Sequence, residues 1–233
     1  MNNIDIYYDG VEIDKFYENP HIKGFTTNIS FLKAAGISDY HDFITNSLKY
    51  TNRRPISFQL YDDTDDDIEI TAKKISSYDK NSIFVKIPII KTNGESNANI
   101  IKKLHNEGIK INVTAIFTKE QIDSINKCFN IDNDVIISIF AGRINDSGLD
   151  CSDVVKYAVE TFKEYSNIKI LWAACRTIYN MFEAEKQGAH IVTVPDSVLS
   201  RLYRIGDDTY EASLKQVKQF REDGINGNII FKK

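Results

Sequence analysis

Short runs rich in β-branched and aromatic residues alternate along this chain with longer stretches of helical periodicity. The strand-like runs are "IDIYYD" (4–9), "IKGFTT" (22–27), "PISFQLY" (55–61), "SIFVKIP" (82–88), "IKINVTAIF" (109–117), "DVIISIFAG" (134–142), "KILWAAC" (169–175) and "HIVTVP" (190–195). Helical patterns fill most of the gaps. Residues 30–50 predict a helix broken near Gly36, and 64–78 opens with acids suited to a helix N-terminus. Residues 96–108 end at Gly108, a C-terminal cap, and 118–129 begins with Thr118 and Gln121 at capping-box spacing. Segments 150–166, 176–188 and 195–204 continue the series, and a last helix over 209–223 stands beyond the eighth strand.

Strand–helix alternation implies parallel strands joined by helical crossovers. Eight such units in 233 residues predict a single α/β domain over 1–233, a closed (β/α)8 TIM barrel with an extra C-terminal helix. A doubly wound open sheet is the runner-up, but its G-x-G-x-x-G turn after the first strand is missing.

Polar residues interrupt strands that should be dry. In "SIFVKIPII" (82–90) Lys86 sits in an otherwise apolar run. A buried ammonium is costly unless it is paired or has lost its proton. Residues two apart share a strand face, so Ser57 with Gln59, Asn112 with Thr114, and Ser138 with Phe140 each point one way. Asp9 ends the first strand. In a barrel the C-terminal strand ends converge on the active site. Taken singly, Ser57 or Thr114 reads as a hydrogen-bonded polar residue, and Asp9 reads equally well as a turn cap; for Lys86 the plain alternative is a side chain snorkelling to the barrel mouth, which its apolar surroundings outweigh. Together they gather an amine, an acid, amides and hydroxyls in one pocket. A desolvated lysine is a free amine nearer neutral pH than an exposed one, and attacks ketones to give a Schiff base. Asp9 is the strand-end carboxylate placed to shuttle protons, and Thr114 with Gln59 would hold a water.

Composition narrows the partners. A net charge of −4 with scattered Lys and Arg predicts no nucleic-acid partner, and no apolar run reaches membrane-span length. "MNNIDIYYDG" carries neither a basic n-region nor an apolar h-region, so the expected compartment is the cytoplasm. Cys128, Cys151 and Cys175 are odd in number and widely spaced, and His21, His41, His105 and His190 are dispersed; neither a disulfide framework nor a metal site is expected.

The stretches "YYDG", "GFTTNIS" (24–30), "FVKIP", "INVTAIF" (111–117), "SIFAGRI" (138–144) and "LWAACRT" (171–177) resemble the transaldolases, especially the short transaldolase-like group that includes fructose-6-phosphate aldolase. They fall in family order on strands or strand ends across roughly residues 4 to 195. The resemblance implies that Lys86 is the Schiff-base lysine, Asp9 the acid/base and Thr114 the residue that positions the catalytic water. It implies that Thr27, Asn28 and Asn112 bind the dihydroxyacetone portion beside Ser138 and Phe140, and that Arg143 and Arg176 hold a phosphate. Without that context both arginines read as surface ion pairs. The implied substrate is a sugar phosphate of the pentose phosphate pathway, with no cofactor, and the implied assembly is a homo-oligomer formed through the C-terminal helix, although the "SLKQVKQF" stripe after Gly206 reads equally well as a closure of the barrel bottom.

The chain mixes subtypes. Gln59 matches the short aldolases where transaldolases carry glutamate, and Phe140 matches transaldolases where the aldolases carry tyrosine. Ala174 stands where serine is common, Ile29 replaces a usual proline, and Trp172 is unusual. The first reading is transfer of a dihydroxyacetone unit from a ketose phosphate to an aldose. Release of free dihydroxyacetone, or use of another sugar, is the alternative. A non-catalytic sugar-phosphate-binding barrel is the reading from another class; it has only Ala174 in its favour.

Overall fold

The computed structural model describes residues 3–229; Met1, Asn2 and 230–233, all inside the expected 1–233 domain, lie outside the described residues. The chain falls into two compact units, 1–199 and 200–233. In the first, β1 (Asp5–Asp9), β2 (Ile22–Thr26), β3 (Ile56–Gln59), β4 (Ile83–Pro88), β5 (Ile111–Ile116), β6 (Val135–Ile139), β7 (Ile168–Trp172) and β8 (Ile191–Val194) pair in parallel, in chain order, and close into a barrel. The expected (β/α)8 barrel is the fold observed, with all eight strands where periodicity placed them.

The helices of this unit are α1 (Ile29–Ala34), α2 (Tyr40–Leu48), α3 (Asp65–Tyr78), α4 (Ala98–Asn106), α5 (Lys119–Ile125), α6 (Ala141–Asp146), α7 (Ser152–Thr161), α8 (Ile178–Lys186) and α9 (Asp196–Leu199). Their ends follow local chemistry. The break between α1 and α2 falls at Gly36, whose φ of +70° ends the first helix before Asp39 caps the second. Asp65, Asp66 and Asp67 fill the first turn of α3 behind its Thr64 cap. Gly108, at φ +88°, donates to His105 O and lets Ile109 donate to Leu104 O, which closes α4. Thr118 and Gln121 cap α5 reciprocally, as their spacing predicts, and Thr177 with Asn180 does the same for α8.

Three expectations need correction. The apolar run 134–142 is not all strand: β6 stops at Ile139 and residues 141–146 wind into α6. Phe140 N–H donates to Ile116 O at 2.8 Å and then serves as the cap, so the chain turns there. The run 169–175 likewise yields a strand only to Trp172, because Ala174 takes a φ of +60° that strand geometry excludes. The segment 195–204 splits into α9 and a separate 3-10 turn over Leu202–Arg204. A further 3-10 turn, Ile13–Phe16, carries no periodic signal.

Inside the barrel Tyr7, Phe84, Ile136, Leu171, Ala173 and Ile191 form an apolar layer. Gly24 on β2 is required here, since a Cβ would lie 2.5 Å from the Tyr7 ring. The alternate positions Phe25, Phe58, Val85, Ile87, Val113, Ile137 and Val192 are fully buried against the helices. Each such side chain contributes roughly 1.5–3 kcal/mol on burial. Arg54, just before β3, fastens the other end of the barrel. Its guanidinium donates to the carbonyls of Thr51, Tyr17 and Ile22 at 2.8, 2.9 and 3.0 Å, and to those of Phe16 and Asn19 at 3.2 Å. The same group lies 4.7 Å over the Phe25 ring.

The second unit holds that 3-10 turn and α10 (Thr209–Asn226), the expected C-terminal helix, capped by Asp208. None of the residues of α10 is buried; Tyr210, Val217, Phe220 and Ile225 are exposed.

Candidate active site

The polar residues singled out above lie one layer above the apolar plug, at the C-terminal strand ends. Register brings them together: Asp9 pairs with Thr26, Gln59 with Lys86, Lys86 with Asn112, and Pro88 with Thr114. Asp9, Asn28, Gln59, Lys86, Thr114, Ser138, Phe140, Arg143 and Arg176 line one cavity of about 290 Å³. Thr26, Ala174 and Thr193 complete much of its wall.

Lys86 is 5% exposed, and its ammonium donates to Thr27 O at 3.3 Å. Burial pulls its pKa below the ordinary lysine range, and the nearby Asp9 charge only partly opposes this. Asp9 moves the other way. Burial raises its pKa, against the opposing pull of Lys86, a hydrogen bond from Thr26 and the charge of Arg176. Each group is thus drawn towards its neutral form. A buried amine of lowered basicity beside an acid of raised pKa can exchange a proton between addition and elimination steps.

The second layer is a short hydrogen-bond chain. Ser138 Oγ donates to Asn112 Oδ1 at 2.7 Å, and Asn112 Nδ2 donates to Ser57 Oγ at 2.9 Å. Thr114 differs. Its Oγ1 is buried with no hydrogen-bond partner, an energetic debt unless a water or substrate atom meets it. The ladder between β5 and β6 shifts register between Val113 and Ile116, and Ala115 has φ +59°, so a bulge aims this hydroxyl.

At the rim, Asn28 Oδ1 is spent capping α1 through Phe31 N–H at 3.0 Å. Phe140 packs on the apolar layer and tilts against Phe117, ring centroids 5.5 Å apart. Arg176 Nη2 lies 3.0 Å from Asp146 Oδ2, and Arg143 Nη1 lies 4.0 Å from the same oxygen. Gly142 holds this rim together: a Cβ there would sit 1.7 Å from Ala174 O.

Two of the expected site residues are not in the cavity wall. Thr27 turns its hydroxyl to Ser57 O at 2.9 Å and meets Lys86 only through its carbonyl. Asn112 is fully buried, with both ends of its amide engaged below the wall. Sequence reasoning missed Thr26 and Thr193. Strand alternation held the signal, since both fall on the inward parity of β2 and β8. It also missed Asp146, three residues after Arg143 on a helix whose first two residues fall in the strand-like run 134–142. Among the described residues no group of His, Cys, Asp and Glu is placed to hold a metal, and no helix is long and apolar enough to cross a membrane.

Fold and site together define a barrel enzyme of the aldolase and transaldolase class. The chain belongs to the transaldolase/fructose-6-phosphate aldolase family, whose model matches residues 6–233. It is 30% identical over 205 residues to a probable transaldolase of a Thermoanaerobacter species, covering 87% of each chain. It is 32% identical over 193 residues to a probable transaldolase of Caldicellulosiruptor saccharolyticus, covering 82% of this chain and 84% of that one. Among solved structures, a mutant tryptophan synthase alpha-subunit from Pyrococcus furiosus superposes with a TM-score of 0.57 at 12% identity, over 93% of this chain and 96% of the other. That likeness shows the barrel fold alone.

Proposed function

We propose that the enzyme works through a Schiff base on Lys86 and transfers a dihydroxyacetone unit from a ketose phosphate of the fructose 6-phosphate type to an aldose acceptor. The observation that carries this reading is the buried Lys86 amine, depressed in basicity, beside Asp9 in the cavity at the strand ends. The amine adds to the ketose C2 carbonyl, and the carbinolamine loses water to give an iminium. Asp9 takes the C4 hydroxyl proton as the C3–C4 bond breaks, and its electrons pass to the iminium as an enamine. The aldose phosphate leaves, and an incoming aldehyde accepts the enamine in the reverse sequence. Thr114, whose hydroxyl lacks a partner, holds the water of dehydration with Gln59. Ser138 and the Asn28 amide nitrogen meet the dihydroxyacetone hydroxyls, with Thr27 and Asn112 behind them as supports. Arg143 and Arg176 bind the phosphate.

Phe140 supports transfer over release. A phenyl ring on the apolar layer donates no hydrogen bond and keeps the enamine drier. Gln59 supports the second reading, release of dihydroxyacetone, because an amide in register with Lys86 cannot titrate. The proposal includes a cytoplasmic enzyme and a homo-oligomer, the latter supported by the exposed Tyr210, Val217 and Phe220 of α10. Incubation with fructose 6-phosphate and borohydride should attach a reduced dihydroxyacetone unit to Lys86, and Lys86→Met should abolish it. Labelling of another lysine, or of none, would sink the mechanism.

A further inference from the structure

Asp9 stands at the end of a hydroxyl chain that no part of the reaction above uses. Thr26 Oγ1 donates to Asp9 Oδ1 at 2.7 Å, and the same oxygen lies 2.5 Å from Thr193 Oγ1. Either threonine could be the donor in the second contact, but the first one decides. A hydroxyl has one proton. Thr26 gives its proton to the carboxylate, so Thr193 must supply the proton between the threonines. The chain runs Thr193 to Thr26 to Asp9 whenever Asp9 is ionised. Thr26 and Thr193 are 1% and 2% exposed, on the two strands that flank β1, with Thr193 in register with Tyr7 and Thr26 with Asp9. In so dry a setting each bond polarises the next, and bonds ending on a charge are the strong ones.

We propose that Thr193 is a positioning residue for the reaction: by donating to Thr26 it fixes that hydroxyl as a donor to Asp9 and holds the carboxylate ionised and oriented to remove the substrate hydroxyl proton. This rests on the reading of Asp9 as the acid/base. Other groups face the same carboxylate. Lys86 reaches it from β4 and Arg176 from the loop after β7, and both favour the ionised form, while burial opposes it. The two cations are shared with other duties, the amine with the carbonyl and the guanidinium with phosphate. The threonine chain ends on Asp9. When Asp9 takes up a proton the chain can reverse, but the charge-assisted polarity is then lost, so Thr193 favours the base over the acid.

The test is Thr193→Val, which keeps the volume and removes the hydroxyl, with Thr193→Ser as the conservative rescue. Asp9 is titrated directly by carbon-13 NMR of its carboxyl, assigned by difference with Asp9→Asn, and in parallel the pH profile of kcat/KM is recorded. Thr193→Val should move both the Asp9 titration and the acid limb upward by about half a pH unit to one unit. Thr193→Ser should return both to the unmodified position. An unmoved titration in Thr193→Val, or the same shift in Thr193→Ser, would overturn the proposal. If Thr193→Val does not fold, Thr193→Ala takes the same measurements. The NMR readout needs no turnover, so a missing Lys86 adduct with a shifted Asp9 titration overturns the reaction assigned above and not this linkage.

Discussion

Asp146→Asn tests how the rim reads charge. Its carboxylate lies 3.0 Å from Arg176 and 4.0 Å from Arg143, so a phosphate must displace or tolerate it. All three side chains are 43–59% exposed, and water screens the pair. Ion pairs of that kind are worth about 0.2–1 kcal/mol. Releasing Arg176 from this contact should therefore lower KM for fructose 6-phosphate by about 1.4- to 5-fold. KM for free dihydroxyacetone should not move, because no phosphate is involved. The assay is initial rates with both substrates at low and high salt, and the gain should shrink with salt. Arg143→Ala and Arg176→Ala serve as controls and should raise KM for the phosphorylated substrate only. A rise in KM with Asp146→Asn would refute the competition argument. It would show instead that Asp146 holds Arg176 in its binding posture, and that the geometry outweighs the charge.

Three further outcomes are expected. Phe140→Tyr should raise dihydroxyacetone release relative to transfer, measured as free dihydroxyacetone formed with and without erythrose 4-phosphate; an unchanged ratio would remove Phe140 from the choice. Lys86→Met should change how stability depends on pH. With its folded pKa lowered, Lys86 makes the unfolded chain bind more protons between that value and the ordinary lysine range. The unmodified protein should therefore gain stability as pH rises through that window, and the variant should lack that gain when melting midpoints are compared from pH 7 to 10. Arg54→Ala should cost about 2–4 kcal/mol, less than the sum of its bonds because the guanidinium is partly solvated, and lower the melting midpoint by roughly 4–16 °C. Arg54→Lys should recover little of this, since one ammonium cannot serve so many carbonyls.

The barrel was legible because its strands are short, apolar and separated by strong cap chemistry. Thr118 with Gln121, Gly36 and Gly108 each announce a boundary through a local bond or a positive φ. Lys86 was legible because an amine inside the apolar run "FVKIP" is costly unless it is paired or has lost its proton, which outweighs simple snorkelling. What failed to show depended on parity and on approach. In "TTN" one residue decides which threonine faces the cavity, and pairing with Asp9 selects Thr26 rather than Thr27. In "IFAG" the apolar pattern runs unbroken across the turn into α6. With α6 hidden, the one-turn spacing from Arg143 to Asp146 had no meaning.

The contact of Gly142 with the Ala174 carbonyl has a consequence for laboratory evolution. It joins the start of α6, which carries Arg143, to the turn before Arg176, so neither backbone can shift alone. Libraries that randomise position 142 by itself will return inactive clones, because the smallest added side chain collides with a main-chain atom that no rotamer change can move. Selection for unphosphorylated or bulkier sugars would do better to vary 142 together with 173–175. The two turns then exchange one fit for another, and the substrate range of the mouth changes as a unit.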